Sequence, residues 1–308
     1  MSALDRALED YLALRRSLGY KLRQEGRLLA SFTACLQARG LDRVTVQAAL
    51  GWATQPGPAS PAWHTKRLSA VRGFTAYLAT IDETSEVLPA GLLPGRVSRA
   101  TPYLYSPAEI TALMAAAARL ACPLRAASFE AFIGLMAVTG LRTGEAMALD
   151  RADADLAGGA LTIRCSKLGK SRLVPLHATT TAALARYAGR RDQLWPRPVT
   201  PAFFLSGAGT RLNHHNVSTT FAGLLGAAGI TAPPGRRRPR PYDLRHSFAV
   251  ATLISWHADG ADVQSRLPAL STYLGHVKPS ATYWYLQAAP ELLAVAAARL
   301  ERFLGDLP

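Results

Sequence analysis

Four short segments of the 308-residue chain carry side chains whose types and spacing suit phosphate chemistry. In Thr139-Gly140-Leu141-Arg142-Thr143-Gly144-Glu145 an apolar helix ends at Gly140 and Thr143 can cap the next one. Arg142 therefore stands at a helix–helix corner, where a fixed guanidinium can offer its fork to a phosphate, although an ordinary ion pair fits the same position. The second segment is a polar turn, Ser166-Lys167-Leu168-Gly169-Lys170; its lysines suit either an anion or plain solvent. The third is Pro241-Tyr242-Asp243-Leu244-Arg245-His246-Ser247-Phe248, in which Tyr242 and Arg245 are three apart and share a helix face. It follows the basic run Arg236-Arg237-Arg238-Pro239-Arg240. The fourth is Leu274-Gly275-His276, with Tyr285 nine residues further on and Tyr283 just before it.

The elements that must position these groups are mostly helical. Leu4, Leu8, Leu12 and Leu14 recur at helical spacing, and further helices are expected over 24–38, 44–53 and 61–81. The last of these mixes Trp63 and Tyr77 with Lys66, Arg67 and Arg72, which suits either phosphate contact or a solvated basic face. Residues 86–102 lose the helical pattern and contain Pro89, Gly91, Pro94, Gly95 and Pro102, so a first domain over 1–88 and a linker over 89–102 are expected. Ser106-Pro107-Ala108-Glu109 is a helix start, with Ser at the cap, Pro at the first position and Glu to close a capping box. It opens a second domain, 103–308, with helices over 106–120, 127–138, 144–150, 178–191, 214–228, 243–258 and 290–304. Leu161, Ile163 and Cys165 alternate with polar residues before the lysine turn, and Ser171 to Leu176 follow it, which reads as a hairpin. The expected fold is mainly α with a small antiparallel sheet inserted early in the second domain.

Composition narrows the partner. There are 35 Lys and Arg against 21 Asp and Glu, a formal net charge of +14, and 49% of residues are hydrophobic. That profile is globular, and its natural partner is a polyanion such as nucleic acid. No apolar run approaches the roughly 20 residues of a membrane span, and the N-terminus lacks an apolar signal core, so a soluble cytoplasmic protein is expected. Cys35, Cys122 and Cys165 show neither metal nor disulfide spacing, and His214-His215 lack a third ligand, so no metal or cofactor is expected.

Arg142, Lys167, the Tyr242-x-x-Arg245 box, Leu274-Gly275-His276 and Tyr285 together resemble the catalytic pattern of the tyrosine recombinases, the phage-integrase family, over about residues 104–290. The resemblance implies a helical core-binding domain followed by a catalytic domain, in a bacterial enzyme acting at the nucleoid on double-stranded DNA with specific recombination sites. It assigns Tyr285 as the nucleophile of a 3′-phosphotyrosyl intermediate, formed without metal or ATP. Arg142 and Arg245 would stabilise the phosphate charge, Lys167 would protonate the leaving 5′-oxygen, His276 would hydrogen-bond the phosphate or the nucleophile's surroundings, and Glu145 would orient its neighbours. Tyr242 stands where most relatives have His; a phenol can bond a phosphate but is a poor base at neutral pH. Lys66, Arg67, Arg72, Lys170, Arg172, Arg236, Arg237, Arg238 and Arg240 are the expected DNA contacts. Four subunits on two duplexes are the implied assembly, alone or with related recombinases, with the 290–304 helix either docked on a neighbouring subunit or folded back on its own domain. The opening Tyr11-Leu12-Ala13-Leu14-Arg15-Arg16-Ser17-Leu18-Gly19-Tyr20 is similar to that of transposon-borne members. A type IB topoisomerase and a catalytically weak DNA-binding accessory protein are the competing readings.

Overall fold

A computed structural model describes residues 2–55, 60–93, 101–164, 171–276 and 278–288, and the chain divides into two compact units, Met1–Arg99 and Ala100–Pro308. Lys167, Lys170 and the expected 290–304 helix lie outside the described residues.

The first unit contains α1 (Ala3–Ser17), α2 (Arg23–Ala38), α3 (Val46–Ala53) and α4 (Pro61–Leu78). Ser2 and Asp5 form a capping box that starts α1, and Thr45 caps α3. Leu29, Phe32, Trp52, Val71 and Phe74 are at most 1% exposed and form its core. Each fully buried Phe stabilises the fold by about 1.5–3 kcal/mol. Beyond α4 the chain stays attached: Glu86 accepts from the Val46 N–H at 2.6 Å, and the Leu88 N–H donates to Thr75 Oγ1 at 3.3 Å. Leu92 and Leu93, inside the stretch expected as linker, pack against the same core.

In the second unit the capping box of Ser106 and Glu109 starts α5 (Pro107–Ala118), followed by α6 (Pro123–Thr139) and α7 (Thr143–Ala148). α6 begins four residues before the expected start because Pro123 occupies its first turn. Three short antiparallel strands follow, β1 (Ala154–Asp155), β2 (Ala160–Ile163) and β3 (Arg172–Pro175), in the order β1-β2-β3 with Leu161 opposite Val174 and Ile163 opposite Arg172. Leu161, Ile163 and Val174 are buried, as the alternation anticipates. The remaining helices are α8 (Ala178–Leu194), α9 (His214–Ala227), α10 (Asp243–Ala258), α11 (Val263–Leu274) and α12 (Ser280–Ala288). Phe129, Phe132, Tyr187, Phe203 and Phe204 share one core cluster; Val250, Leu253, Leu267, Leu270, Leu274 and Tyr285 form another from α10, α11 and α12. Among the described residues no helix is long and apolar enough to cross a membrane.

Two helix ends carry the site. α6 closes at Gly140 (φ +59°) and α11 at Gly275 (φ +68°), both left-handed as a helix C-terminus often requires. A Cβ on Gly140 would also lie 2.5 Å from the Phe248 ring. Gly140→Ala should therefore lower stability by at least the roughly 1–2 kcal/mol of a left-handed non-glycine residue, read as a lower urea midpoint; an unchanged midpoint would contradict this packing.

Candidate active site

Gly140 and the Leu274-Gly275 turn meet, and two arginines clamp the junction. Helix C-termini leave carbonyls without partners and carry partial negative charge, so cations are favoured there. Arg245, in the first turn of α10 and 0% exposed, donates from Nη1 to the Gly140 carbonyl at 2.8 Å and from Nη2 to the Leu274 carbonyl at 2.7 Å. Arg142 donates from Nη2 to the adjacent Gly275 carbonyl at 2.7 Å and from Nη1 to Glu145 Oε1 at 2.6 Å. Arg142 stands at the corner as expected, but it is itself the cap residue of α7 and Thr143, expected as the cap, is the first helical residue; the Glu145 carboxylate also accepts the Arg142 backbone N–H at 3.1 Å.

Arg245 is held as a buried cation at some cost. Burial and then the neighbouring Arg142 lower its pKa, while Tyr242, Tyr285 and Glu145 act in the opposite sense. A guanidinium stays protonated in proteins regardless. Its Nε is buried with no hydrogen-bond partner among the described residues. An orphaned buried donor typically costs about 1–3 kcal/mol.

Beside the arginines lies Tyr285, 2% exposed. Its hydroxyl is 3.2 Å from His246 Nδ1, and its ring stacks on His276 with centroids 6.2 Å apart. His276 Nδ1 is 2.7 Å from Thr282 Oγ1, which orients the imidazole. Tyr242 precedes α10 and meets the His246 ring edge-on at 5.0 Å. Tyr283, by contrast, is 43% exposed.

The structure therefore brings together Arg142, Glu145, Arg245, His276, Tyr285 and Tyr242. It adds two residues. His246 follows Arg245 directly and so lies on another face of α10; α12 packs along that side and brings Tyr285 to it. Arg172, expected as a DNA contact, is turned inward: its side chain is 12% exposed and pairs with Glu145. Four further expected DNA contacts are engaged within the chain. Arg67 lies 4.0 Å over the Trp52 ring, and Arg240 pairs with the buried Asp243. Arg238 donates to the Ala222 carbonyl at 2.8 Å, and Lys66 donates to Gln24 at 2.5 Å. Arg72, Arg236 and Arg237 are exposed. Among the described residues no three His, Cys, Asp or Glu side chains are placed to hold a metal ion.

Comparison with known proteins decides the family. The description "Phage integrase family" matches residues 105–291, a span that contains both arginines, the lysine turn and Tyr285. The chain belongs to the phage integrase family. The recombinase is 42% identical over 312 residues to y4rB of Sinorhizobium fredii (strain NBRC 101917 / NGR234), provisionally designated an integrase/recombinase, with 99% of each chain covered. It is also 31% identical over 246 residues to the tyrosine recombinase XerD of Caulobacter vibrioides, covering 76% of this chain and 73% of that one. It is a tyrosine-type site-specific recombinase. Its fold matches the Tn1549 transposon integrase in complex with transposon right end DNA, with a TM-score of 0.63, 16% identity and coverage of 96% and 98% of the two chains.

Proposed function

We propose that this recombinase cuts and rejoins double-stranded DNA at specific sites by attack of the Tyr285 hydroxyl on a backbone phosphorus. The new P–O bond makes a 3′-phosphotyrosine. The bond to the 5′-oxygen breaks, and that oxygen leaves as a hydroxyl after receiving a proton from Lys167. The tyrosine proton passes to a neighbouring imidazole or to water. Arg142 and Arg245 stabilise charge growing on the non-bridging oxygens, Glu145 orients Arg142, and His276 and Tyr242 bond the phosphate. Rejoining is the same step reversed with a 5′-hydroxyl from another strand, so it needs neither ATP nor metal. Because Tyr285 is 2% exposed, attack on a duplex requires α12 to shift. Assembly of four subunits on two duplexes belongs to the same proposal.

The observation that carries this reading is the pair of guanidiniums on converging helix ends beside a tyrosine in contact with two imidazoles. A selection from random duplexes supplies the site, and a nicked suicide substrate in EDTA tests the chemistry. Covalent capture is expected; its absence in EDTA with recovery on adding a divalent metal would contradict the mechanism. Strand exchange between two captured sites separates a recombinase from a type IB topoisomerase, which rejoins within one duplex.

The duplex is held by a charge of +14 with Arg72, Arg236 and Arg237 exposed. Affinity should fall steeply with salt, by about 10³-fold from 50 to 200 mM if some six phosphates are neutralised. Arg236→Ala and Arg237→Ala should each flatten the log–log slope by about one. A slope near zero in the unmodified protein would show that this charge faces away from DNA.

A further inference from the structure

Arg172 opens β3, immediately after the segment that carries Lys167 and Lys170. Its guanidinium uses every nitrogen inside the site. Nη1 and Nη2 donate to Glu145 Oε1 and Oε2 at 3.1 and 2.9 Å, and Nε donates to the Tyr273 carbonyl at 2.9 Å. Glu145, 8% exposed, is thereby gripped from two sides, with Arg142 on the other. The terminal turn of α11 rests against the same guanidinium: a Cβ on Gly275 would lie 2.6 Å from Arg172 Nη1. Leu274 and Gly275, which follow Tyr273, present the carbonyls that hold Arg245 and Arg142.

We propose that Arg172 is a positioning residue for phosphate activation, acting through Glu145 on the Arg142 fork and through Tyr273 and Gly275 on the turn that leads to His276. The inference rests on the reading of Arg142 as a donor to the scissile phosphate. A carboxylate bonded by one arginine alone can rotate and carry that arginine with it. A second, two-pronged partner fixes the carboxylate plane, and with it the direction of the donors left on Arg142. Lysine offers a point charge and cannot reproduce the two-pronged pair.

The electrostatics supply a readout that a purely structural role would leave unmoved. Burial pushes the Glu145 carboxyl up, but the hydrogen bond and charge of Arg172, then those of Arg142, hold it below its ordinary value. With Arg172 removed, Glu145 protonates at higher pH, and a neutral Glu145 releases the Arg142 fork. Cleavage then falls on the acid side at a pH where the unmodified protein is still fully active. Among the described residues the charged groups that face Glu145 are Arg142, Arg172 and Arg245.

The test uses the full-length protein on the suicide substrate, with the single-turnover capture rate measured from pH 5 to 8. Arg172→Met should lower the rate by about 10- to 100-fold, the usual range for a residue that orients a working one, with DNA affinity unchanged and the acid limb moved up in pH. Glu145→Gln should abolish the acid limb, and adding Arg172→Met to it should change little further. Arg172→Lys, which retains the charge, should lie between and carries the same test where the Met variant yields no folded protein. An unchanged rate, losses that multiply in the double variant, or affinity that falls in step with rate would each overturn the inference. No capture by the unmodified protein would instead strike at the phosphotyrosine reading itself.

Discussion

Tyr285→Phe is expected to abolish covalent capture of DNA while leaving affinity unchanged. The substitution removes one oxygen from a ring that is 2% exposed and stacked on His276, so the apolar cluster of α10, α11 and α12 keeps its packing. It also removes the hydroxyl beside His246 Nδ1 at 3.2 Å, a loss of about 1 kcal/mol of stability. Tyr283→Phe is the control: that ring is 43% exposed, and its hydroxyl has no place in the proposed step. Capture that survives in the Tyr285 variant and vanishes in the Tyr283 variant would move the nucleophile by two residues.

The second large effect separates the two arginines. Arg245→Ala and Arg142→Ala should each slow cleavage by about 10²–10³-fold, the loss typical of one preorganised donor, with much smaller changes in affinity. Their effects on stability should differ. Arg245 is fully buried, and its removal leaves the Gly140 and Leu274 carbonyls without donors, at about 1–3 kcal/mol each. Relief of the repulsion with Arg142 offsets part of that. The Arg142 side chain is 21% exposed, so water can replace it at Gly275 and Glu145. Thermal melts together with single-turnover rates check both expectations. Equal stability of the two variants would contradict the clamp, and parallel losses of rate and affinity would reduce the arginines to simple phosphate contacts.

Local signals in the sequence were the readable ones. Ser106, Pro107 and Glu109 lie within four residues and state a helix start by themselves; Leu161, Ile163 and the return at Val174 state a hairpin by alternation. The pattern from Arg142 to Tyr285 was readable because each group sits in a short, distinctive run. α11 was not: Pro268 lies inside it, where a proline removes a helical hydrogen bond and obscures the helical pattern. The pairing of Arg172 with Glu145 spans 27 residues and depends on where the hairpin returns, which its composition leaves open. His246 meets Tyr285 across 39 residues because α12 packs on α10, and helical periodicity in either segment alone carries no record of that. Both additions are tertiary facts about residues whose local roles looked ordinary.

In the proposed reaction Tyr285 becomes covalently joined to DNA. The direct measurement is to trap the protein on a nicked suicide substrate in EDTA, digest protein and DNA, and map the modified peptide by tandem mass spectrometry. A nucleotide joined through its 3′-phosphate to the oxygen of Tyr285 is expected, with a free 5′-hydroxyl on the released strand. An adduct on Tyr283 or any other residue, or a 5′-phosphate linkage, would contradict it.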